Sequence, residues 1–136
     1  MRIAALDYGT QRIGVAVANT EVGIAFPATV LPNDFEQVVR WLQQEGVQKV
    51  VVGAPYMLWG ARNAQLQAVE AFAEQLRQRL GVPVVLYDER LTTAEAERRL
   101  REGEMPRKRR EAVVDAVAAA ILLDAYLRAQ KRNKGR

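Results

Sequence analysis

The sequence predicts an α/β fold: a mixed five-stranded sheet, a three-strand antiparallel meander plus two parallel strands, with helices on its faces. Three observations carry this reading. Two short apolar runs, residues 2–8 and 12–19, are separated by Gly9-Thr10-Gln11 alone. So short a link permits an antiparallel hairpin and excludes a parallel return. Later apolar runs at 48–53 and 84–87 each follow a segment with helical spacing. A strand reached through a helix returns parallel, by a right-handed crossover. Finally, the 136 residues contain no internal repeat, linker or low-complexity stretch, so residues 1–136 are expected to form one domain.

Each element has its own signal. Residues 2–8 are short and apolar. In residues 12–19, Ile13, Val15 and Val17 alternate with Gly14, Ala16 and Ala18. Residues 23–31 make a third strand, with Pro27 and Pro32 calling for an edge position or an interruption. Asp34 opens a helix in which Phe35, Val38, Val39 and Leu42 follow helical spacing, and Gly46 ends it. Residues 48–53 read as a fully buried strand. Residues 62–80 form the clearest amphipathic helix, with Leu66, Val69, Phe72, Ala73, Leu76 and Leu80 on one face and Gly81 as its stop. Residues 84–87 are the next buried strand. Thr92 with Glu95 fits a capping box that opens a helix to about Gly103. Residues 104–110 read as a basic connector around Pro106, followed by a last helix from about Glu111 to Ala129. Residues 128–136 read as a mobile, solubilising basic tail.

Composition narrows the chemistry. There is no cysteine and no histidine. Disulfides, thiol nucleophiles, thiolate or imidazole zinc sites and every Ser-His or Cys-His arrangement are therefore excluded. An enzyme of this composition works with carboxylates, lysine, tyrosine or water. Carboxylates hold Mg²⁺ or Mn²⁺ well, because hard cations prefer oxygen. The net charge of +4 is unevenly spread: residues 107–136 carry nine Lys or Arg and three acids, whereas residues 1–106 are net acidic. A basic end on a near-neutral body points to a polyanionic partner. No apolar run approaches the roughly 20 residues needed to span a bilayer. Asp7 comes too early for a secretory leader. A cytoplasmic protein without membrane contact is expected.

Three carboxylates stand out. Asp7 follows Ile3 and Ala5 at period two, so it emerges on their face, at the carboxyl end of the first strand. Open α/β sheets place ligands at that edge. A turn aspartate is the plain alternative. Glu89, beside Asp88 and Arg90, lies just past the last strand at the same edge. A solvated charge cluster is its plain alternative. Asp115 shares a helical stripe with Ala118, Ala119, Leu122 and Tyr126. A carboxylate on an apolar stripe needs a partner or a metal. An acid near a helix N-terminus is the plain alternative. Alanines beside it would let the helix approach the sheet closely. Three converging carboxylates repel one another, and one or two divalent cations would relieve that repulsion and support phosphodiester hydrolysis without histidine.

These residues also carry a resemblance. Residues 6–16, Leu-Asp-Tyr-Gly-Thr-Gln-Arg-Ile-Gly-Val-Ala, resemble the opening motif of the YqgF (RuvX) family. Val51-Val52-Gly53-Ala54-Pro55 with Gly60, Asp88-Glu89-Arg90-Leu91-Thr92-Thr93, and Val114-Asp115 with Ala118-Ala119 and Ile121-Leu122 are similar to its other motifs, in order and at matching spacing. The resemblance covers nearly the whole chain. It implies an RNase H-like fold and a metal-dependent nuclease that processes the 5′ end of pre-16S ribosomal RNA or resolves four-way DNA junctions. By motif match, the catalytic and metal-holding acids fall on Asp7, Glu89 and Asp115, and Glu89 is preferred over Asp88. The chain departs from the family at Tyr56-Met57-Leu58-Trp59, where a polar segment is usual, and at Glu111, where lysine is frequent.

Nucleic-acid contacts are expected from Arg12, Arg62, Arg90, Arg107, Lys108, Arg109 and Arg110, with Trp59 as a stacking platform for an unpaired base. The plain alternative for the apolar loop around Trp59 is a hydrophobic clasp that covers the core or joins two subunits, which Met57 and Leu58 favour. The nearly all-apolar last helix suits a homodimer, as two symmetric strands of a junction would require. A non-catalytic nucleic-acid-binding factor is the other class of reading. An ATP-binding protein of the actin or sugar-kinase type is disfavoured, since the chain lacks room for a second domain.

Overall fold

A computed structural model of the chain describes residues 1–54, 64–88 and 107–134, with backbone alone for 107–113 and 133–134. Five strands, β1 (Arg2–Tyr8), β2 (Arg12–Asn19), β3 (Ala25–Pro32), β4 (Lys49–Ala54) and β5 (Val84–Asp88), form one sheet in the order β3-β2-β1-β4-β5. β1–β2 and β2–β3 pair antiparallel, while β1–β4 and β4–β5 pair parallel. This is the mixed sheet that the short hairpin link and the two crossovers predict. Helices α1 (Phe35–Gln44), α2 (Ala64–Leu80) and α3 (Arg107–Lys134) are the helices among the described residues.

The sheet has two unlike faces. On one, α1 and α2 pack Val38, Val39, Leu42, Val69, Phe72 and Leu76 against the even residues of β1 and β4 and the odd residues of β2. On the other, α3 packs Ala119, Ala120, Leu122, Leu123 and Tyr126 against Ile3, Ala5, Ala16, Ala18 and Val51. Strand alternation explains the division, because successive side chains leave opposite faces. β2 is thus covered on both sides, and its alternating residues serve two cores. β4 is buried from Val50 to Ala54, as its unbroken apolar run predicts.

Local chemistry sets the element ends. Asp34 caps α1, its side chain accepting from the Gln37 amide. Gly46 and Gly81 follow α1 and α2 with positive φ and stop them. Pro27 and Pro32 lie in β3, which is indeed an edge strand, and its register slips by one residue opposite Val15 and Ala16. Both outcomes that the prolines allow occur together.

Three expectations are corrected. Residues 107–110 are not a connector: they are the first residues of α3. Arg and Lys are good helix formers, and nothing between Arg107 and Glu111 breaks a helix, so a cation run that looks like a solvated loop continues one. At the other end α3 runs through Lys134 rather than stopping at Ala129, so most of the segment read as a tail is helix. β5 is not fully buried: Val84 is, but Val85 to Asp88 are half-buried, as suits the strand at the sheet's far edge. The helix expected from Thr92 to Gly103 lies outside the described residues.

Candidate active site

The site is built where the carboxyl end of β1 meets the N-terminal half of α3. Asp7 pairs with Gly14 across the β1–β2 ladder. It belongs to the odd series of β1, whose Ile3 and Ala5 face α3. Asp115 occupies the α3 stripe that packs on this face, next to buried Ala118 and Ala119. Two carboxylates 108 positions apart in the chain thereby line one pocket of about 200 Å³, together with Tyr8, Gly9, Thr10, Gln11 and Arg12.

Gly14 makes this possible. A Cβ placed on Gly14 would lie 2.0 Å from the Asp115 carbonyl oxygen and 3.0 Å from its Cβ. Only a residue without a side chain lets the α3 backbone settle here. The neighbouring small residues, Ala5, Ala16 and Ala18 on the sheet and Ala118, Ala119 and Ala120 on the helix, keep the same seam narrow. The close approach expected from the alanines therefore exists, but the residue at its tightest point is a strand glycine that helix periodicity cannot reveal.

Arg12 joins the two elements. Its Nε donates a short hydrogen bond to Asp115 Oδ2. The Asp115 side chain is 13% exposed and that of Arg12 40% exposed. A largely buried carboxylate on an apolar stripe requires such a counter-charge, and the guanidinium supplies it from the pocket wall. The Gly9-Thr10-Gln11 turn is tied from below by Asn33. Its Nδ2 donates to the Gly9 carbonyl at 2.7 Å, and its backbone N–H donates to the Gln11 carbonyl at 3.0 Å. Sequence reasoning missed Asn33. Its one signal is residue type, an Asn between Pro32 and Asp34, which marks a turn without naming what the amide reaches.

The other expected site residues divide by location. Glu89, Arg90, Trp59 and Arg62 lie outside the described residues. Asp88, the neighbour of Glu89, ends β5 in register with Ala54, at the carboxyl edge that also ends β1. Arg107, Lys108, Arg109 and Arg110 are placed as helical backbone at the start of α3. Among the described residues no three acidic side chains form a group able to hold a metal. Asp7 and Asp115 nonetheless offer an all-oxygen donor pair of the kind that hard divalent cations take. The pocket exceeds the roughly 30 Å³ share of one water several-fold, which leaves room for an ion with its own waters.

The model of the family described as "RuvX: Holliday junction resolvase" matches residues 1–129. A Chloroflexus aurantiacus protein named "Putative pre-16S rRNA nuclease" is 40% identical over 139 residues, covering 98% of this chain and 91% of its own. Among solved structures, RuvC of Thermus thermophilus superposes with a TM-score of 0.62 at 18% identity, over 97% of each chain. The Fowlpox virus resolvase bound to Holliday junction DNA superposes with a TM-score of 0.57 at 10% identity, over 96% of this chain and 99% of its own. These two likenesses concern the fold, and that fold is the RNase H-like one implied by the motifs. With a family match over nearly its whole length and a full-length relative at 40% identity, the chain belongs to the RuvX family.

Proposed function

We propose that this protein is a divalent-metal-dependent nuclease that hydrolyses phosphodiester bonds in structured nucleic acid, with the 5′ end of precursor 16S ribosomal RNA as its substrate in the cytoplasm. The observation that carries the proposal is the pocket itself: Asp7 from β1 and Asp115 from α3, brought together without histidine or cysteine. The name of the full-length relative supports the choice of RNA.

In this reading Asp7 and Asp115 hold Mg²⁺ or Mn²⁺, with Glu89 as the third acid. The cation, when bound, supplies Lewis acidity and lowers the pKa of water at the scissile phosphate. The chain's own residues do the rest. The β1–β2 hairpin fixes Asp7, the Gly14 seam fixes Asp115, and the Asn33 tether holds the turn that walls the pocket. Arg12 pairs with Asp115 in the resting protein, and its planar guanidinium suits a phosphate oxygen pair once substrate enters. Arg62, Arg90, the Arg107–Arg110 run and Trp59 are further nucleic-acid contacts in the proposal.

A second reading, resolution of four-way DNA junctions, is favoured by the family description and by the fold shared with the junction-bound resolvase. A homodimer belongs to that reading, because two symmetric strands must be cut. The deciding experiment is cleavage of a labelled precursor 16S RNA and a labelled four-way DNA junction, with Mn²⁺ and with Mg²⁺, by wild type and Asp7→Asn. Cleavage of the RNA, lost by at least about 100-fold in Asp7→Asn, is expected; that factor corresponds to roughly 2.7 kcal/mol of barrier. Cleavage of the junction alone would move the substrate to DNA. Binding of both probes by both proteins without cleavage would leave a non-catalytic binding factor instead.

A further inference from the structure

The far end of α3 carries a second feature, opposite in charge to the acidic pocket. Beyond Asp124 the helix contains no acid, and Arg128, Lys131 and Arg132 follow at i, i+3 and i+4 spacing, so they share one face. All three are exposed. With Tyr87 of β5 and Ala125 they line an open groove of about 450 Å³. Lys131 also borders a neighbouring pocket of about 200 Å³ that contains Lys49, Tyr126, Thr20 and Gln130. Lys49 Nζ sits 5.0 Å from the centre of the Tyr126 ring, which holds this cation at the surface. Among the described residues no carboxylate lines either cavity. The acid preceding them on the helix, Asp124, accepts a hydrogen bond from the Ala25 amide at 3.2 Å, turned toward β3.

Charge of this kind is not explained by the helix dipole alone. The dipole favours cations in the last turn, but Arg128 lies earlier, and Lys49 comes from another element. As a disordered tail the segment would only solubilise. As helix, its cations have fixed spacing and a fixed distance from the active site. Asp115 and Arg128 are 13 residues apart on one helix, an axial separation of roughly 20 Å at ~1.5 Å per residue. Phosphates along one strand of B-form DNA advance ~3.4 Å each, so the same span corresponds to about six base pairs of DNA, and to slightly more in the more compact A-form of RNA.

We infer that the C-terminal turns of α3, through Arg128, Lys131 and Arg132 with Lys49 beside them, form a backbone-binding platform that grips a duplex arm of the nucleic-acid substrate about six base pairs from the scissile phosphate. This rests on the nuclease reading above and adds to it a partner surface and a length requirement. The platform contacts phosphates, so it provides affinity and register, not sequence choice.

The test compares wild type, Arg128→Gln/Lys131→Gln/Arg132→Gln, and the charge-keeping Arg128→Lys/Lys131→Arg/Arg132→Lys. The side chains are exposed, and circular dichroism confirms folding of each variant. Binding is followed by fluorescence anisotropy in EDTA, across a salt series. The probes are a precursor 16S RNA fragment and a four-way DNA junction, each with long arms and with arms cut to about four base pairs, below the span computed from phosphate spacing. On long arms the neutral variant should show a slope of log K against log salt shallower by about 2 to 3, at ~0.7–0.9 per lost phosphate contact. The charge-keeping variant should match wild type, and on short arms all three proteins should agree. In cleavage assays the neutral variant should show a raised KM on long arms and an unchanged kcat.

Wild type that binds and cleaves, with a neutral variant of equal slope on long arms, overturns this inference alone. An equal loss on short and long arms overturns the six-base-pair placement, since that is the signature of general charge attraction. Wild type that binds neither probe overturns the nuclease reading and the platform together.

Discussion

The two faces of the sheet are built on different principles. The face under α1 and α2 is filled by branched and aromatic side chains: Leu6, Ile13, Val15, Leu42, Val52, Phe72 and Leu76. The face under α3 also buries Ile3, Val51, Leu122, Leu123 and Tyr126, but it adds small residues on both sides of the seam: Ala5, Gly14, Ala16 and Ala18 below, and Ala118, Ala119 and Ala120 above. Large side chains remove much apolar surface from water and contribute most of the stability. Small ones contribute less per residue but bring a helix backbone close to a strand. Both faces hold the fold together, and the small-residue seam of the second also sets the position of Asp115 relative to Asp7.

The contrast can be broken by substitution. Leu76, fully buried in the large-residue face, should show the largest stability effect: Leu76→Ala is expected to cost about 2–5 kcal/mol in urea unfolding. The folded fraction should cleave substrate at the wild-type rate, because the damage lies across the sheet from the pocket. Reduced kcat at full folding would show that the faces are coupled. Gly14→Ala adds a single methyl to the other face, and the structure leaves no room for it above the Asp115 backbone. A loss of about 1–3 kcal/mol is expected, as for overpacking elsewhere. Here activity should fall further than stability does, since α3 must move and carry Asp115 with it. A Gly14→Ala protein that unfolds early yet cleaves normally would separate the seam from the site.

A third prediction concerns the outer surface of the large-residue face. Arg79 bridges α2 to α1 by two hydrogen bonds to the Glu36 carboxylate, at 2.6 and 2.9 Å. The hydrogen bond from Arg79, reinforced by its charge, holds the Glu36 pKa below the ordinary glutamate value. A carboxylate with a lowered folded-state pKa contributes stability that is present above its unfolded pKa, about 4.3. That contribution is lost as pH falls through the lower folded value. Wild type should therefore lose stability more steeply than Glu36→Gln on the acid side of about pH 4.3. The effect should be the smallest of the three, because the pair is exposed and screened by salt. Parallel acid limbs for the two proteins would remove the bridge from the account of stability.

Much of the architecture was readable from local pattern. The three-residue link at Gly9-Thr10-Gln11 admits one kind of strand pairing, and the alternation in residues 12–19 assigns each side chain to a face. The placement of Asp7 and Asp115 on the α3 side of the sheet was readable too, one by period two on a strand and the other as a carboxylate breaking an apolar stripe. Pattern misled where charge was taken for disorder. The run from Arg107 to Arg110 and the cations from Arg128 to Lys134 are helical, because lysine and arginine favour helix.

The sequence by itself determined most of the element types, the mixed sheet, the assignment of strand residues to faces and the absence of histidine and cysteine donors, since these depend on residue type and short spacing. The tertiary structure alone decided which residues meet. Gly14 and Asp115 are about a hundred positions apart, as are Arg12 and Asp115, and no periodicity within β2 or α3 reports their contact. Periodicity states which way a side chain leaves its own element. How closely two elements approach depends on the summed volume between them, and on this face that volume is small enough for the Asp115 backbone to rest on a glycine.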